Sequence, residues 1–552
     1  MHTGELTDTF IQSFGAVLVC KTLPKKELFR IDQLCRTRKL KGESGEEKVA
    51  PVVFFVAVNH GVTGHIFADF GDAHVVKDPD GEPLKTLVVD SWTESGKITV
   101  AAKKHGFEQG QKIRFEDIEG GVCKSGQVNL SVLNGATGIK VRAFIKRLYE
   151  KYLFTKADGT KEERERQIFE SFQLDLSEAK TADGKVITPE ELGPWKTGGI
   201  ITEVVDPIIK EFRSLEDSLV KPAQGWEQDL WGPPHPDQGA WEKGAGKHVH
   251  LQFVTVLEFE AKYGFFPRLH NVEDSDNFVK LFETINEENK KSEKGVTVES
   301  VDKRRLRSYS WYFATELTGY CAFLGGIVAQ EVVKKFGKYT PIFQWMHSDH
   351  IQLVGNAVPA DAVPQGSRYD HQISIFGKSF QQLISNQRIF LVGCGALGCE
   401  YLKGLAMMGV CTGPKGKLWC TDMDRIEVSN LSRQFLFRAG HVTKPKSITA
   451  AAAAKQMNPA LNVEALEMKV WAETENFFDD HFWDNLDLCW NALDNVIARK
   501  YTDSKCLFHG KPLLESGTQG TKCNSEVIIP FKTKYGCFVR VYYYPKNRIL
   551  FF

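Results

Sequence analysis

The sequence predicts an α/β protein of several parts: an open parallel-sheet module in the C-terminal third, a small mostly-β domain inserted toward the N-terminus, and a helical bundle between them. Three observations predict it. The run RIFLVGCGALGCE from Arg388 reads as strand, glycine turn and helix start, and WCTDMDR after it reads as a second strand ending in acid. Residues 65–139 break into short alternating segments at turns such as DPDGEP, ESGK and EQGQ, a β texture. Residues from 251 onward carry apolar side chains at helical spacing. At 552 residues the chain exceeds one core, and roughly 100 to 200 residues per domain gives about three to five domains.

Taken in order, FGAVLVC (14–20) and VVFFVAV (52–58) flank the helix-like KKELFRIDQLCRTRK, so the chain opens as a βαβ piece without a glycine fingerprint. KEERERQ (161–167) is charged in both signs and reads as a solvated helix or insertion. KPAQGWEQDLWGPPHPDQGAWEKGAGK (221–247) has the composition of an irregular loop anchored by tryptophans. Leu251, Val254, Leu257 and Ala261 share one helical face, as do Phe278, Leu281, Phe282 and Ile285. A long apolar helix ends in GGIVAQEVVKKFG, the strand PIFQWM follows, and VGNAVPADAVPQGS (354–367) is the clearest linker before the α/β module.

Composition excludes several classes. Lys plus Arg and Asp plus Glu both number 70, so no bulk field draws the chain to nucleic acid or an anionic membrane. No apolar run reaches the roughly 18 residues of a spanning helix, and MHTGELTDTF lacks a signal-peptide pattern. A soluble intracellular protein is expected. The 12 cysteines sit in apolar segments with no CxxC, which suits reduced core residues and not paired zinc knuckles. His248 and His250 form an isolated HxH that fits a structural place better than a metal.

The chemistry concentrates in the module. Gly393, Gly395 and Gly398 form GxGxxG between a strand and a helix, which brings backbone N–H groups and the positive end of a helix to phosphates. Asp422 closes the next strand, where a carboxylate holds ribose hydroxyls. A nicotinamide-dependent oxidoreductase fits these features equally. Arg433 in SNLSRQ and Lys446 in TKPK separate the readings, because an enzyme that splits a triphosphate must neutralise charge on the leaving pyrophosphate. Asp494 and Asn495 follow the strand LDLCWNA at the sheet's carboxyl edge, where Asp494 is placed to hold magnesium on the phosphates. Arg433, Lys446 and Asp494 are the catalytic candidates.

At these residues the chain resembles the ubiquitin-activating enzymes. RYDHQISIFG, LVGCGALGCEYLKGLAMMG, TDMDRIEVSNLSRQFLFR, VTKPKSITAAAAAKQMNP, NALDNVIARKY and KPLLESGTQGTKCNSEVIIPF resemble the active adenylation domain of that family. GVTGHIFADFGDAHVVKDPDGEPL and KKHGFEQGQKIRFEDIEG resemble its first catalytic cysteine half-domain, and GGIVAQEVVKKFGKYTPIFQW the end of its inactive adenylation half. The resemblance implies a Rossmann-like adenylation domain of the ThiF and MoeB type, with this division: 1–65, partial inactive adenylation half; 66–205, cysteine half-domain with an insertion at about 148–200; 206–310, helical bundle; 311–353, end of the inactive half; 354–367, linker; 368–531, active adenylation domain; and 532–552, a tail outside the family.

The resemblance further implies ATP- and magnesium-dependent adenylation of ubiquitin's C-terminal carboxylate, the first step of ubiquitin conjugation. Ala396, Asp422, Arg433, Lys446, Asp494 and Asn495 match the family's ATP contacts, and Asn430 and Gln434 belong to the same motif and are expected to face the phosphates. Ubiquitin is the implied partner, with ubiquitin-conjugating enzymes joining the full-length protein; the chain is expected to be a monomer of cytoplasm and nucleus. Departures qualify the match. The arginine that reaches the ATP site from an earlier segment has no counterpart here, and His371 in RYDHQ is not its substitute. Cys537 is followed by Phe and Val, so it is not assigned the thioester role, and a truncated or misjoined chain is expected. Cys523 stands where the family has glycine. A non-catalytic ubiquitin-binding fragment, or an enzyme for another ubiquitin-like modifier, is the alternative.

Overall fold

The computed structural model describes residues 6–41, 46–92, 97–101, 106–109, 111–117, 136–155, 161–181, 184–187, 195–196, 199–223, 230–231, 245–519 and 522–533. Most of the tryptophan-rich loop and Cys537 lie outside these residues. The chain forms two compact units, one of Met1–Gly71, Phe212–Val332 and Ile342–Phe552, the other of Asp72–Glu211 and Val333–Pro341.

In the first unit the opening βαβ piece is present: strand Ala16–Val19, helix Lys25–Arg36 and strand Val53–His60, the two strands parallel. The sheet continues through Thr63–Asp69, Trp345–Asp349 and Leu230–Trp231. Thr63–Asp69 is buried along its whole length and pairs antiparallel with a strand on each side. A division at residue 65 would therefore leave buried ladder groups unpaired, and the unit runs on to Gly71. At the other end, Ile208–Lys210 pairs with His74–Val76 and keeps residues up to Glu211 in the smaller unit. The strand expected over PIFQWM begins only at Trp345.

Helices Ala245–Tyr263, Val272–Ser292 and Lys303–Tyr312 share one core with that sheet, in which Phe253, Phe278, Phe282 and Leu306 meet Phe54, Phe67 and Trp345. The first of these helices is buried on nearly every side, with His250, Gln252 and Thr255 inside and Ala261 exposed. Its one-faced sequence pattern undercounted its contacts because sheet and neighbouring helix cover it from different directions. The opposite face of the sheet packs Phe55, Ile66 and Met346 against Leu324 and Val328 of helix Thr318–Lys334.

Among the described residues the smaller unit is mostly β, its main sheet ordered Lys140–Thr155, Lys161–Asp175, Lys97–Val100, Thr86–Trp92, Ile200–Glu203 and Ile113–Glu116, with Trp195–Lys196 also on Thr86–Trp92. Val100, Phe115, Phe172 and Ile201 fill its core. The KEERERQ run is strand here and not helix, pairing antiparallel with Lys140–Thr155; Lys151 stands 3.6 Å from Glu163 across the pair, and opposite charges suit a cross-strand ladder as well as a helix face.

The C-terminal module in the first unit is a six-stranded sheet ordered Val463–Leu466, Lys417–Thr421, Arg388–Val392, Leu488–Asn491, Leu513–Gln519 and Lys522–Ile528, parallel except for the last strand. Numbered along the chain this is 3-2-1-4-5-6, the doubly wound order whose switch point lies between strands 1 and 4. Strand Arg388–Val392 alternates between two cores: Ile389 and Leu391 pack with Leu402, Leu405 and Ala450, and Phe390 and Val392 with Phe478, Trp483 and Cys489. Both faces are covered, as a parallel sheet requires. Cys523 pairs with Thr518 in the final ladder, so cysteine in place of glycine leaves that strand intact.

Candidate active site

The three glycines differ in what they permit. Gly393 has φ +101°, and a Cβ there would stand 2.5 Å from the Ala492 carbonyl oxygen. A Cβ on Gly398 would stand 2.2 Å from the Gly393 carbonyl oxygen, so this glycine lets the helix close onto the turn. Gly395 is open: the nearest atom to a Cβ there is Gln434 Nε2 at 3.8 Å. Ala396 is the first residue of helix Ala396–Met408, whose N-terminal N–H groups make an anion-binding end.

Asp422 fixes this turn from the neighbouring strand. One carboxylate oxygen accepts the Cys394 N–H and the other the Asp424 N–H, each at 2.8 Å. Burial raises its pKa, and those two N–H groups and the Lys446 charge oppose the rise. Each oxygen keeps a further lone pair, so the carboxylate retains capacity for ribose hydroxyls while it organises the loop.

Lys446 opens helix Lys446–Met457 and is only 8 % exposed. Its ammonium donates to Asp424 Oδ2 at 2.8 Å. The Lys446 N–H also donates to the Asp424 carbonyl at 3.0 Å, and Arg425 bridges Pro445 alongside. The sequence reading passed over Asp424, although an acid two residues beyond Asp422 in TDMD was the signal available. Gln434 is buried, and its side-chain oxygen has no hydrogen-bond partner. Arg433 is exposed, its guanidinium 3.1 Å from the Ser429 carbonyl. Asn430 is buried in a capping turn, where its side-chain oxygen accepts the Glu427 N–H at 3.0 Å; a phosphate would take its Nδ2 donor and not this oxygen.

Strand Leu488–Asn491 delivers Asp494 to the same edge, and the Ala492 N–H donates to the Val392 carbonyl at 2.8 Å. Asp494 is exposed. Asn495 caps helix Val496–Phe508 through a 2.7 Å bond from the Ala498 N–H. Behind this edge lies a group the sequence did not reveal: Glu515, 1 % exposed, accepts from Asn491 Nδ2 at 2.7 Å and stands 3.3 Å from Arg499. Burial pushes its carboxyl up to about 7. His371 Nδ1 is occupied by the Glu316 N–H at 2.9 Å.

The open side of Gly395 and the unpartnered Gln434 oxygen fit a polar ligand laid across the turn. Among the described residues no group of three or more His, Cys, Asp or Glu side chains is arranged to hold a metal. A lone exposed carboxylate such as Asp494 fits magnesium, which takes one or two carboxylates and completes its shell with water and phosphate oxygens.

Residues 369–548 match the ThiF family, so the match runs past residue 531, where the sequence reading ended the module. The chain is 37 % identical over 490 residues to "Ubiquitin-activating enzyme E1 1" of Arabidopsis thaliana, covering 88 % of this chain and 40 % of that protein. It is 34 % identical over 541 residues to "Ubiquitin-like modifier-activating enzyme 1" of Mus musculus, covering 97 % and 44 %, and 33 % identical over 545 residues to the Homo sapiens protein of the same name, covering 97 % and 44 %. The chain thus spans less than half the length of these curated relatives. Strand order, glycine turn and comparisons agree: residues 369–548 match the ThiF family, the described part of this range has the doubly wound Rossmann-like order, and most of the chain is similar to ubiquitin-activating enzymes.

Proposed function

We propose that this chain adenylates the C-terminal carboxylate of ubiquitin, joining it to the α-phosphate of ATP with pyrophosphate as leaving group. The observation that carries the reading is Lys446, an almost buried ammonium beside a glycine turn whose ligand-facing side is open. A dinucleotide oxidoreductase has no use for a cation so placed, whereas a leaving pyrophosphate requires one. A carboxylate is its own nucleophile, so the site needs positioning and charge neutralisation and no general base.

In this reading the turn from Gly393 to Ala396 presents N–H groups to the phosphates, and Asp422 keeps that turn in place while orienting the ribose. Lys446 and Arg433 neutralise the pyrophosphate, Arg433 after leaving the Ser429 carbonyl. Gln434 offers its carboxamide to the phosphates. Asp494 would hold magnesium, whose chemistry is to screen the phosphate charge, while Asn495 fixes the start of the helix behind it. None of the described cysteines is assigned the thioester step: seven are buried, burial raises the thiols of Cys20 and Cys321, and Cys523 stands in the final ladder opposite Thr518. In this reading the chain is a monomer of cytoplasm and nucleus acting on a protein partner, with conjugating enzymes engaged by the longer protein, and its balanced charge supplies no bulk field for nucleic acid or an anionic membrane.

The test is ubiquitin-dependent exchange of labelled pyrophosphate into ATP. Wild type should exchange, and Asp494→Ala should lose at least about 100-fold, as removal of a principal charge-stabilising group does, with its melting temperature unchanged. A chain that binds neither ATP nor ubiquitin refutes the proposal.

A further inference from the structure

We infer that Asp424 is a positioning residue for Lys446: it holds the ammonium when the site is empty and competes with phosphate for it when the site fills. The inference rests on the adenylation reading above, and it concerns how the site releases its pyrophosphate.

The geometry is built by backbone and is not a chance meeting of surface side chains. The Lys446 N–H donates to the Asp424 carbonyl at 3.0 Å and Arg425 bridges Pro445, so the two residues lie side by side whatever their side chains do. The Asp424 N–H is in turn held at 2.8 Å by Asp422, the residue that also holds the glycine turn. One carboxylate therefore ties Asp424, and through it Lys446, to the position of the phosphate-facing loop.

The electrostatics are lopsided. The Lys446 side chain is 10 % exposed and that of Asp424 is 55 % exposed. An ammonium with so little water around it needs a counter-charge, whereas the Asp424 carboxylate stays hydrated when the ammonium leaves it. The exchange of partners is consequently cheap on the acid's side. A triphosphate arriving at the turn draws the ammonium from Asp424, and pyrophosphate departure is assisted because Asp424 is there to take it back. A carboxylate beside an anion site also weakens anion binding, so Asp424 sets affinity below the maximum the cation could give.

The test compares wild type, Asp424→Asn and Asp424→Glu. Asparagine keeps size and hydrogen bonding and removes the charge. Inorganic pyrophosphate and ATP, titrated calorimetrically at pH 7, should bind Asp424→Asn about three- to tenfold more tightly, the range expected for a partly screened like-charge removal. In pyrophosphate exchange both KM and kcat should fall, because tighter binding delays release; loss of mere packing would raise KM or leave the ratio alone. Asp424→Glu should return both toward wild type. A readout free of nucleotide is the rate at which an amine-directed acylating reagent labels Lys446 at pH 8, scored by mass spectrometry: labelling should be several-fold faster in Asp424→Asn, where the ammonium has lost its partner. Equal or weaker pyrophosphate binding by Asp424→Asn, or unchanged labelling, overturns the inference while leaving the adenylation reading in place. A wild type that binds neither ATP nor pyrophosphate overturns both.

Discussion

Five buried histidines, His60, His65, His248, His250 and His347, set an acid limit on the first unit. Three of them form a chain whose protons are dictated by its ends. The Leu219 carbonyl accepts from His250 Nε2–H at 3.0 Å, so neutral His250 accepts at Nδ1 from His347 Nε2–H, 3.2 Å away. His347 Nδ1 then accepts from His65 Nδ1–H at 3.0 Å, and His65 Nε2 accepts the Tyr309 O–H at 3.1 Å. An added proton sets two donors face to face unless the Tyr309 hydroxyl turns to accept, and a cation in this dry core is costly. Burial lowers His60, His248 and His250 to about 4, and burial together with neighbouring imidazoles holds His65 and His347 well below their ordinary value. For His248 the Arg305 charge adds to the fall and Asp302 opposes it.

A folded pKa below the unfolded one gives stability that is complete above about 6.5 and is lost as pH falls toward about 4. Each of the three groups at about 4 then forfeits about 0.8 kcal/mol at pH 6 and about 2 kcal/mol at pH 5, so those three forfeit about 2.5 and about 6 kcal/mol, and His65 and His347 add to the loss in the same direction. A domain has only about 5–15 kcal/mol in all, so unfolding should set in between pH 6 and 5. Urea titrations from pH 8 to 5, followed by fluorescence, measure this. Trp345, stacked on His347 with ring centroids 5.4 Å apart, should report it, with Trp345→Phe as the blank. His347→Leu should lose stability at pH 8, by about 2–4 kcal/mol for two buried partners left unsatisfied, and show a shallower pH slope. A urea midpoint that stays constant from pH 7.5 to 5 would refute the reasoning.

Three further outcomes are expected. Gly395→Ala should cost at most about 1 kcal/mol, since alanine is a poorer cap than glycine but meets no close neighbour, yet weaken ATP binding measured by calorimetry, because the added methyl enters the open side of the turn. Gly398→Ala should destabilise the module by about 1–3 kcal/mol or more, the range for overpacking, as its Cβ would stand 2.2 Å from a carbonyl oxygen; equal melting temperatures for the two variants would contradict the assignment of their roles. Glu515→Gln tests a pKa raised from 4.5 to about 7: the neutral acid's stability is complete below 4.5 and is lost as pH rises through 7, so glutamine should stabilise by up to about 3 kcal/mol at pH 8 and not at pH 4.5.

Some of this was legible in the chain because the signals are local. GxGxxG between an apolar strand and a helix places Gly393, Gly395 and Gly398 at one turn whatever surrounds it, and Asp422 and Lys446 are each a strand end or helix start. The βαβ opening was legible for the same reason. The KEERERQ run was not: alternating charges satisfy a helix face and a strand ladder alike, and only the partner strand decides. The boundary at 65 cuts Thr63–Asp69, which pairs both with Val53–His60 just before it and with Trp345–Asp349, nearly 300 residues on.

The sequence by itself determined the parallel-sheet module, its glycine turn and the charged residues that follow each strand, because period, turn chemistry and spacing act over a few residues. Tertiary structure alone decided which charges meet. It set Asp424 against Lys446, gave Asn430 to a turn and Asn495 to a helix cap, enclosed Glu515 beneath the sheet edge, and strung His250, His347 and His65 between Leu219 and Tyr309. Electrostatic and hydrogen-bond energies depend on distance and burial, and neither is a property of position along the chain.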